Sequence, residues 1–298
     1  MLEPGILLDF IRGVLYAMTP ILLTAVGEIV AERAGVVNIG LEGIIMLGAL
    51  AGAMAGEAVG SPWAGLAAGM LVGAALGLLH AVLTVYLKGD HIIPGVGVNT
   101  LAYGLVPYMI IVYWHTAGQH QVPEYARVPH IAGISPVTVA AIAVAVATWY
   151  VLFHTSLGLR IRAVGENPEA ADTVGVRVER LQTAAVVYGG MLAGLAGAFM
   201  SIDWLSTVTK EIAAGRGFIS LALVVFSNWN PLLALGGATL FGFFDTLREW
   251  VKVLPGVKGV VPDTLLNTIP YIVTLAAVAG VLHRVRPPSH VGMPYRRE

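Results

Sequence analysis

The sequence predicts an all-α polytopic membrane protein with about eight to ten transmembrane helices. Three observations carry that prediction. Of 298 residues, 57% are hydrophobic and 12% charged, roughly half the charged share of a soluble domain. The mean hydropathy is +0.79, more apolar surface than one soluble core can hide. Long stretches free of Asp, Glu, Lys and Arg recur at 58–87, 91–123, 128–159, 181–202, 217–244 and 264–283. A charge at mid-bilayer costs about 2.5–3.5 kcal/mol, so such gaps locate spans.

The spans fall near 6–27, 36–56, 63–87, 92–114, 135–154, 182–202, 231–251 and 264–283. None shows the alternation of a barrel strand, so all read as helices. The start, "MLEPGILLDFIRG", has acids before its first Arg and no small-residue cleavage site, and reads as the opening of the first span. The third span repeats glycine at 65, 69, 73 and 77, a seam for close helix approach. "GFISLALVVFSNWNP", 217–231, is short and ends in Asn228 and Asn230, consistent with a short span or a re-entrant helix. Trp114, Trp149, Trp229 and Trp250 stand near span ends as interface anchors.

Orientation follows Lys and Arg. Arg160, Arg162, Arg177 and Arg180 in the loop 155–180, and Arg284, Arg286, Arg296 and Arg297 in the tail 284–298, place both segments in the cytoplasm. Three firm spans between them leave the parity wrong. Counting 217–231 as a crossing restores it, with the N-terminus outside.

Several classes drop out. A net charge of −1 provides no basic field for nucleic acid. Absence of cysteine excludes disulfides, thiolate metal sites and cysteine nucleophiles. His115, His120 and His130 lack the carboxylate spacing of a metal site, so no metal or other cofactor is expected. None of Lys88, Lys210, Lys252 and Lys258 is followed by Ser or Thr, so there is no P-loop. A serine-nucleophile elbow and a metalloprotease helix are missing too, and no catalytic residue is assigned.

Two segments stand out. "GVVNIGLEGIIMLGALAGAMAG", 35–56, is apolar yet carries Asn38 and Glu42 on one helix face. Intramembrane polar groups of this kind mark a solute path, or sit near the interface and steady a helix start, with Arg33 as a partner. Asn99, Thr100 and Tyr103 in "IIPGVGVNTLAYG" form a second polar stripe. Pro94, Gly95 and Gly97 before it suggest a broken helix that exposes backbone to solute. In "GLRIRAVGENPEAADTVGVRVER", Asn167 suits an N-cap, Pro168 the first helical position and Gly175 a left-handed stop. The resulting helix, 168–174, is too short to stand alone. It either joins two spans within a solvated loop, or docks its small apolar residues Ala170, Ala171 and Val174 into a cytoplasmic partner.

"GEIVAERAGVVNIGLEGIIMLGA", the segment 158–180, "AGRGFISLALVVFSNWNP" and the ending "HVGMPYRRE" resemble the permease subunits of ABC importers for nucleosides and simple sugars. The likeness runs in order along nearly the whole chain. It is weaker toward permeases for branched-chain amino acids and ribose, of the same superfamily. The resemblance implies a type II, vitamin-B12-importer-like permease fold, with 1–298 as a single transmembrane domain. It implies a cytoplasmic ATPase partner, a second permease (often a paralogue) and an extracytoplasmic binding lipoprotein, all working in the lipid bilayer of the cell membrane. Matched to the family's coupling loop, Arg160, Arg162, Gly165, Glu166, Asn167, Pro168, Ala170, Ala171, Val174 and Gly175 would engage the ATPase. Asn38, Glu42, Asn99, Thr100 and Tyr103 are candidates for the translocation path. An ion-coupled transporter would need several buried acids along the path, and Glu42 is the one clear candidate within a predicted span core. A membrane enzyme would need a paired acid and base or a metal set. The solute could be a nucleoside, a simple sugar, a branched-chain amino acid or a vitamin.

Overall fold

The computed structural model describes residues 4–131, 133–253, 268 and 285–295. Among them, α1 (Pro4–Arg33), α2 (Leu41–Val59), α3 (Pro62–Ala81, extended by a π-turn Val82–Tyr86), α4 (Ile92–Trp114), α5 (Pro136–His154) and α8 (Val178–Phe199, extended by a π-turn Met200–Trp204) are long and apolar enough to cross a membrane. Between α5 and α8 lie two short helices, α6 (Ser156–Glu166) and α7 (Pro168–Thr173). Strands β1 (Gln119–Gln121) and β2 (Thr207–Thr209) pair antiparallel, with His120 opposite Val208. Helices α9 (Arg216–Phe226) and α10 (Pro231–Val253) follow. The predicted span at 264–283 lies outside the described residues apart from Thr268.

Packing centres on α8, which is flanked by α1, α2 and α3. The α3 glycines make this possible. A methyl on Gly73 would run into the Gly190 carbonyl, and one on Gly194 into the carbonyl of Gly69. Backbones that touch gain dispersion and exclude lipid where no hydrophobic drive between helices exists.

Four sequence expectations are corrected. The first span does not stop near residue 27. Helix α1 runs to Arg33, carrying Glu28 and Glu32 inside the protein. Each carboxyl is engaged internally: Glu28 accepts from the Asn38 N–H at 2.7 Å and Glu32 from Trp229 Nε1 at 2.6 Å. Trp229 is therefore a buried tie and not an interface anchor. The second span begins at Leu41, five residues after the predicted start, because Gly35–Gly40 form a turn whose Asn38 N–H donates to Glu28. Finally, α4 is one continuous helix. Pro94 lies in its first turn, where the missing N–H has no intrahelical partner to lose. Gly95 gives close approach instead of a break, since a Cβ there would meet Gly40 N at 2.7 Å.

The molecule has two distinct ends. At one, Arg33 donates to the carbonyls of Asn228 (3.1 Å) and Trp229 (3.2 Å), and the α6–α7 pair lies close by through Gly165. At the other, Glu57 accepts from Trp114 Nε1 (2.7 Å) and from His120 Nε2 (2.8 Å), while Asp203 holds Ser135 and His130. Two of the three loop histidines are thus engaged by carboxylates. The chain from β2 to Trp229 joins these ends, so 205–229 passes through the molecule. Its first half is the short strand β2 followed by turns, and its second half is the 11-residue α9. Helix α10 returns to the far end.

A half-helix site and a capped surface helix

The N-terminus of α9 is where the unusual polarity of α2 is used. Glu42 is 2% exposed. Its two carboxylate oxygens accept from the N–H groups of Gly215 and Gly217, each at 2.7 Å. A helix start leaves N–H groups unpaired and carries partial positive charge, and a carboxylate answers both. Gly215 takes φ +82°, which glycine permits without strain. Gly217 lies so close to Glu42 that an added Cβ would meet its backbone.

The neighbouring amides are bonded within the protein as well. Asn38 Oδ1 accepts from Gly40 N at 2.9 Å, closing a local turn. Asn99 accepts from Gly43 N at 2.8 Å and donates to Ile39 O at 3.0 Å, locking α4 to the start of α2. Asn38, Glu42 and Asn99 therefore form one buried knot joining α1, α2, α4 and α9. The predicted stripe on α4 divides. Thr100 donates to its own Val96 carbonyl at 2.9 Å and is exposed, and Tyr103 is 47% exposed.

A second polar group beside α9 was missed in the sequence. Arg216 Nη2 donates to Asp245 Oδ2 at 3.1 Å, and Arg248 pairs with Asp245 Oδ1 at 3.2 Å. The Arg216 guanidinium lies 4.7 Å from the centroid of the Trp204 ring. Ile21, Ala214, Arg216, Ile219, Phe241, Asp245 and Arg248 line a cavity of about 60 Å³. Ion pairs placed between apolar helices are expensive and mark transport paths. The available signal was Arg216 and Asp245 bounding the charge-free run 217–244. Spacing alone did not show that they meet. Donors, acceptors and rings in this region can hold and pass a polar solute, but no acid–base pair is poised for covalent chemistry.

At the other site, α7 has the predicted local design. Asn167 Oδ1 accepts from Ala170 N at 2.9 Å. At the far end Gly175 N bonds Asp172 O (2.9 Å) and Val176 N bonds Ala171 O (3.1 Å), with Gly175 at φ +85°. That pair of bonds is a Schellman stop. Two details differ from expectation. The loop before it is the helix α6, capped by Thr155, whose hydroxyl accepts from Gly158 N. The small apolar residues do not share an outward face either. Ala171 is 4% exposed and packs with Val164, Val178 and Tyr295, whereas Ala170 is exposed and Val174 is 79% exposed. A six-residue helix has only enough surface for one inward row, and Pro168 and Ala171 fill it. Gly165 is buried against the Arg33 carbonyl, while Arg160 and Glu166 are exposed and Arg162 lies 5.2 Å over the Phe153 ring.

A multi-pass helical body with a half-helix ending inside it and a capped helix exposed at one end defines a membrane transport component. The family described as "branched-chain amino acid transport system / permease component" matches residues 10–282. The nucleoside ABC transporter permease NupC of Lactococcus lactis subsp. cremoris is 36% identical, covering 96% of each chain. The guanosine ABC transporter permease NupQ of Bacillus subtilis is 34% identical, covering 97% of each. More distant are NupB of the same Lactococcus strain, a nucleoside permease 25% identical over 89% of this chain and 76% of its own, and the glucose permease TsgB13 of Haloferax volcanii, 27% identical over 90% and 75%. No solved structure matches. The chain belongs to this permease family. It is the multi-pass membrane subunit of an ABC transporter of the cell membrane, and ATP is hydrolysed on a separate subunit.

Proposed function

We propose that this chain is one of two paralogous permeases of a nucleoside importer. Helix α7 faces the cytoplasm and docks on the ATPase through Glu169, Ala170, Thr173 and Val174. The observation that carries the reading is α7 itself: a helix capped at both ends whose inner row rests on its own chain and whose outer side, with Val174, has no cover among the described residues. The arginines around it favour the cytoplasmic side. NupC and NupQ support nucleosides as solutes, and the occurrence of NupB beside NupC in one organism supports a second, diverged permease. An extracytoplasmic binding lipoprotein delivers the solute to the β1–β2 end.

In this reading, ATP binding moves the docked α7. Ala171 of its inner row leans on Val164 of α6 and Val178 of α8, so the push reaches the two helices that bracket it. Alternating access follows as these helices shift against the half-helix, with Thr100, Tyr103 and the Arg216–Asp245 pair presented to the solute. Glu42 supports the path by holding α9 and does not face the solute.

TsgB13 favours a second reading, a simple sugar. Proteoliposomes holding the chain, its sister permease and ATPase, with the binding lipoprotein outside and ATP within, decide between them. ATP-dependent guanosine uptake that excess glucose does not compete supports the proposal. Glucose uptake without guanosine uptake contradicts it.

A further inference from the structure

Helix α7 is too short to persist alone, and its inner row is covered by the C-terminal segment of the same chain. Pro287 and Pro288 keep that segment extended. Ser289 N and Oγ donate to Glu166 at 3.2 and 2.8 Å. His290 N donates to Gly165 O at 2.9 Å, and Gly292 N to Gly35 O at 3.0 Å. Tyr295, 6% exposed, inserts beside Val164, Ala171 and Val178, and its hydroxyl donates to Asp172 Oδ2 at 3.1 Å. Upstream, Arg286 N donates to Asn228 Oδ1 at 3.0 Å. One short segment thus touches α6, α7, the α1–α2 turn and the α9–α10 turn.

We propose that Arg286–Tyr295 is a strap that holds α7 in docking geometry and carries its displacement to the ends of α1 and α9, with Tyr295 as the positioning residue. The inference rests on α7 being the ATPase-docking helix. It adds that docking and transmission both depend on the chain's own tail. The linkage is specific: Gly35 closes the turn that places Asn38 and Glu42, and Asn228 ends the half-helix that Glu42 caps at its other end. A load on α7 therefore reaches both ends of the central knot through backbone bonds of the strap.

The test uses the assembled transporter in vesicles and the full-length permease pair. Tyr295→Ala removes the anchor, whereas Tyr295→Phe keeps the ring and loses one hydrogen bond. Gly292→Val strains the strap at φ +77°, where the site is exposed and an added Cβ meets nothing nearer than Val37 at 3.8 Å. That variant leaves the helix packing untouched, so it remains informative even if Tyr295→Ala folds poorly. Val174→Asp tests the docking face alone. Tyr295→Ala and Gly292→Val should each lower ATP-dependent uptake per copy at least tenfold. They should raise amide exchange across 168–176 at least tenfold, while the amides of α3 and α8 keep their protection and Tyr295→Phe stays within twofold of the parent. Wild-type uptake and exchange in Gly292→Val and Tyr295→Ala, with Val174→Asp inactive, would overturn the strap and leave the docking reading standing. Equal loss of protection in α3 and α8 would overturn it as well, as a purely structural role. Wild-type uptake by Val174→Asp would instead remove the docking reading beneath it.

Discussion

Glu42 shows what a single residue does here. Its carboxylate was visible in the sequence as an acid inside an apolar span, and the two readings then open were a solute path and a span-end support. In the structure both its oxygens hold the start of α9, 173 and 175 residues away. Glu42→Ala leaves two buried N–H groups without an acceptor, and each such orphan costs about 1–3 kcal/mol. The variant should melt at a lower temperature and lose at least tenfold in uptake. Glu42→Gln keeps one acceptor oxygen and should fall between the variant and the parent in both measurements. Equal melting temperatures for all three proteins would remove the capping role. The amides Asn38 and Asn99 were legible as polar residues in apolar surroundings for the same reason. The partners of Asn99, backbone groups 56 and 60 residues away, were not, because nothing in a single chain's spacing records which turns meet. Arg216 and Asp245 escaped notice on the same ground: each bounds an apolar run, and only the packing of α9 on α10 brings them to 3.1 Å.

At the scale of elements, local chemistry read well where it is self-contained. Asn167, Pro168 and Gly175 announced a two-ended capped helix, and the caps formed as the residue types require. Asn167→Ala should cost that helix about 0.5–2 kcal/mol, seen as faster amide exchange in 168–176 with uptake reduced. The direction of each side chain was not legible, since a six-residue helix has too little periodicity to define a face. Ala171 was expected to point outward and instead packs inward. In Ala171→Asp, a charge forced among Val164, Val178 and Tyr295 should unfold the α6–α7 region itself, raising protease cleavage there before any ATPase is added. Intact α7 in that variant would contradict the packing. The glycine seam of α3 was legible as a seam, while its partner, α8, was not. Gly73→Ala should prevent α3 and α8 from closing and lower the yield of folded permease severalfold. Gly104→Ala, where an added Cβ meets nothing within 4 Å, should leave the yield unchanged. A matching yield for the two variants would mean that the seam does not hold the helices.

For the whole molecule, composition and charge gaps pointed to a bundle of membrane helices, and the parity of crossings drew attention to 217–231. A lipid-exposed non-helical chain would leave backbone groups unpaired, so the non-helical half of 205–229 needs partners within the protein, and Glu42 and the β1–β2 pair supply them at its two ends. The account joins these features in one claim: the α7 end faces the cytoplasm, the β1–β2 end faces outward, and 205–229 crosses between them. The chain has no native cysteine, so single cysteines report sidedness without interference. The deciding measurement is labelling of Gln119→Cys, Val174→Cys and Met293→Cys by a membrane-impermeant thiol reagent in intact and permeabilised cells, with all three positions exposed. The account predicts labelling of Gln119→Cys in intact cells, and of Val174→Cys and Met293→Cys only after permeabilisation. Labelling of Val174→Cys from outside, or of Gln119→Cys only after permeabilisation, would contradict it.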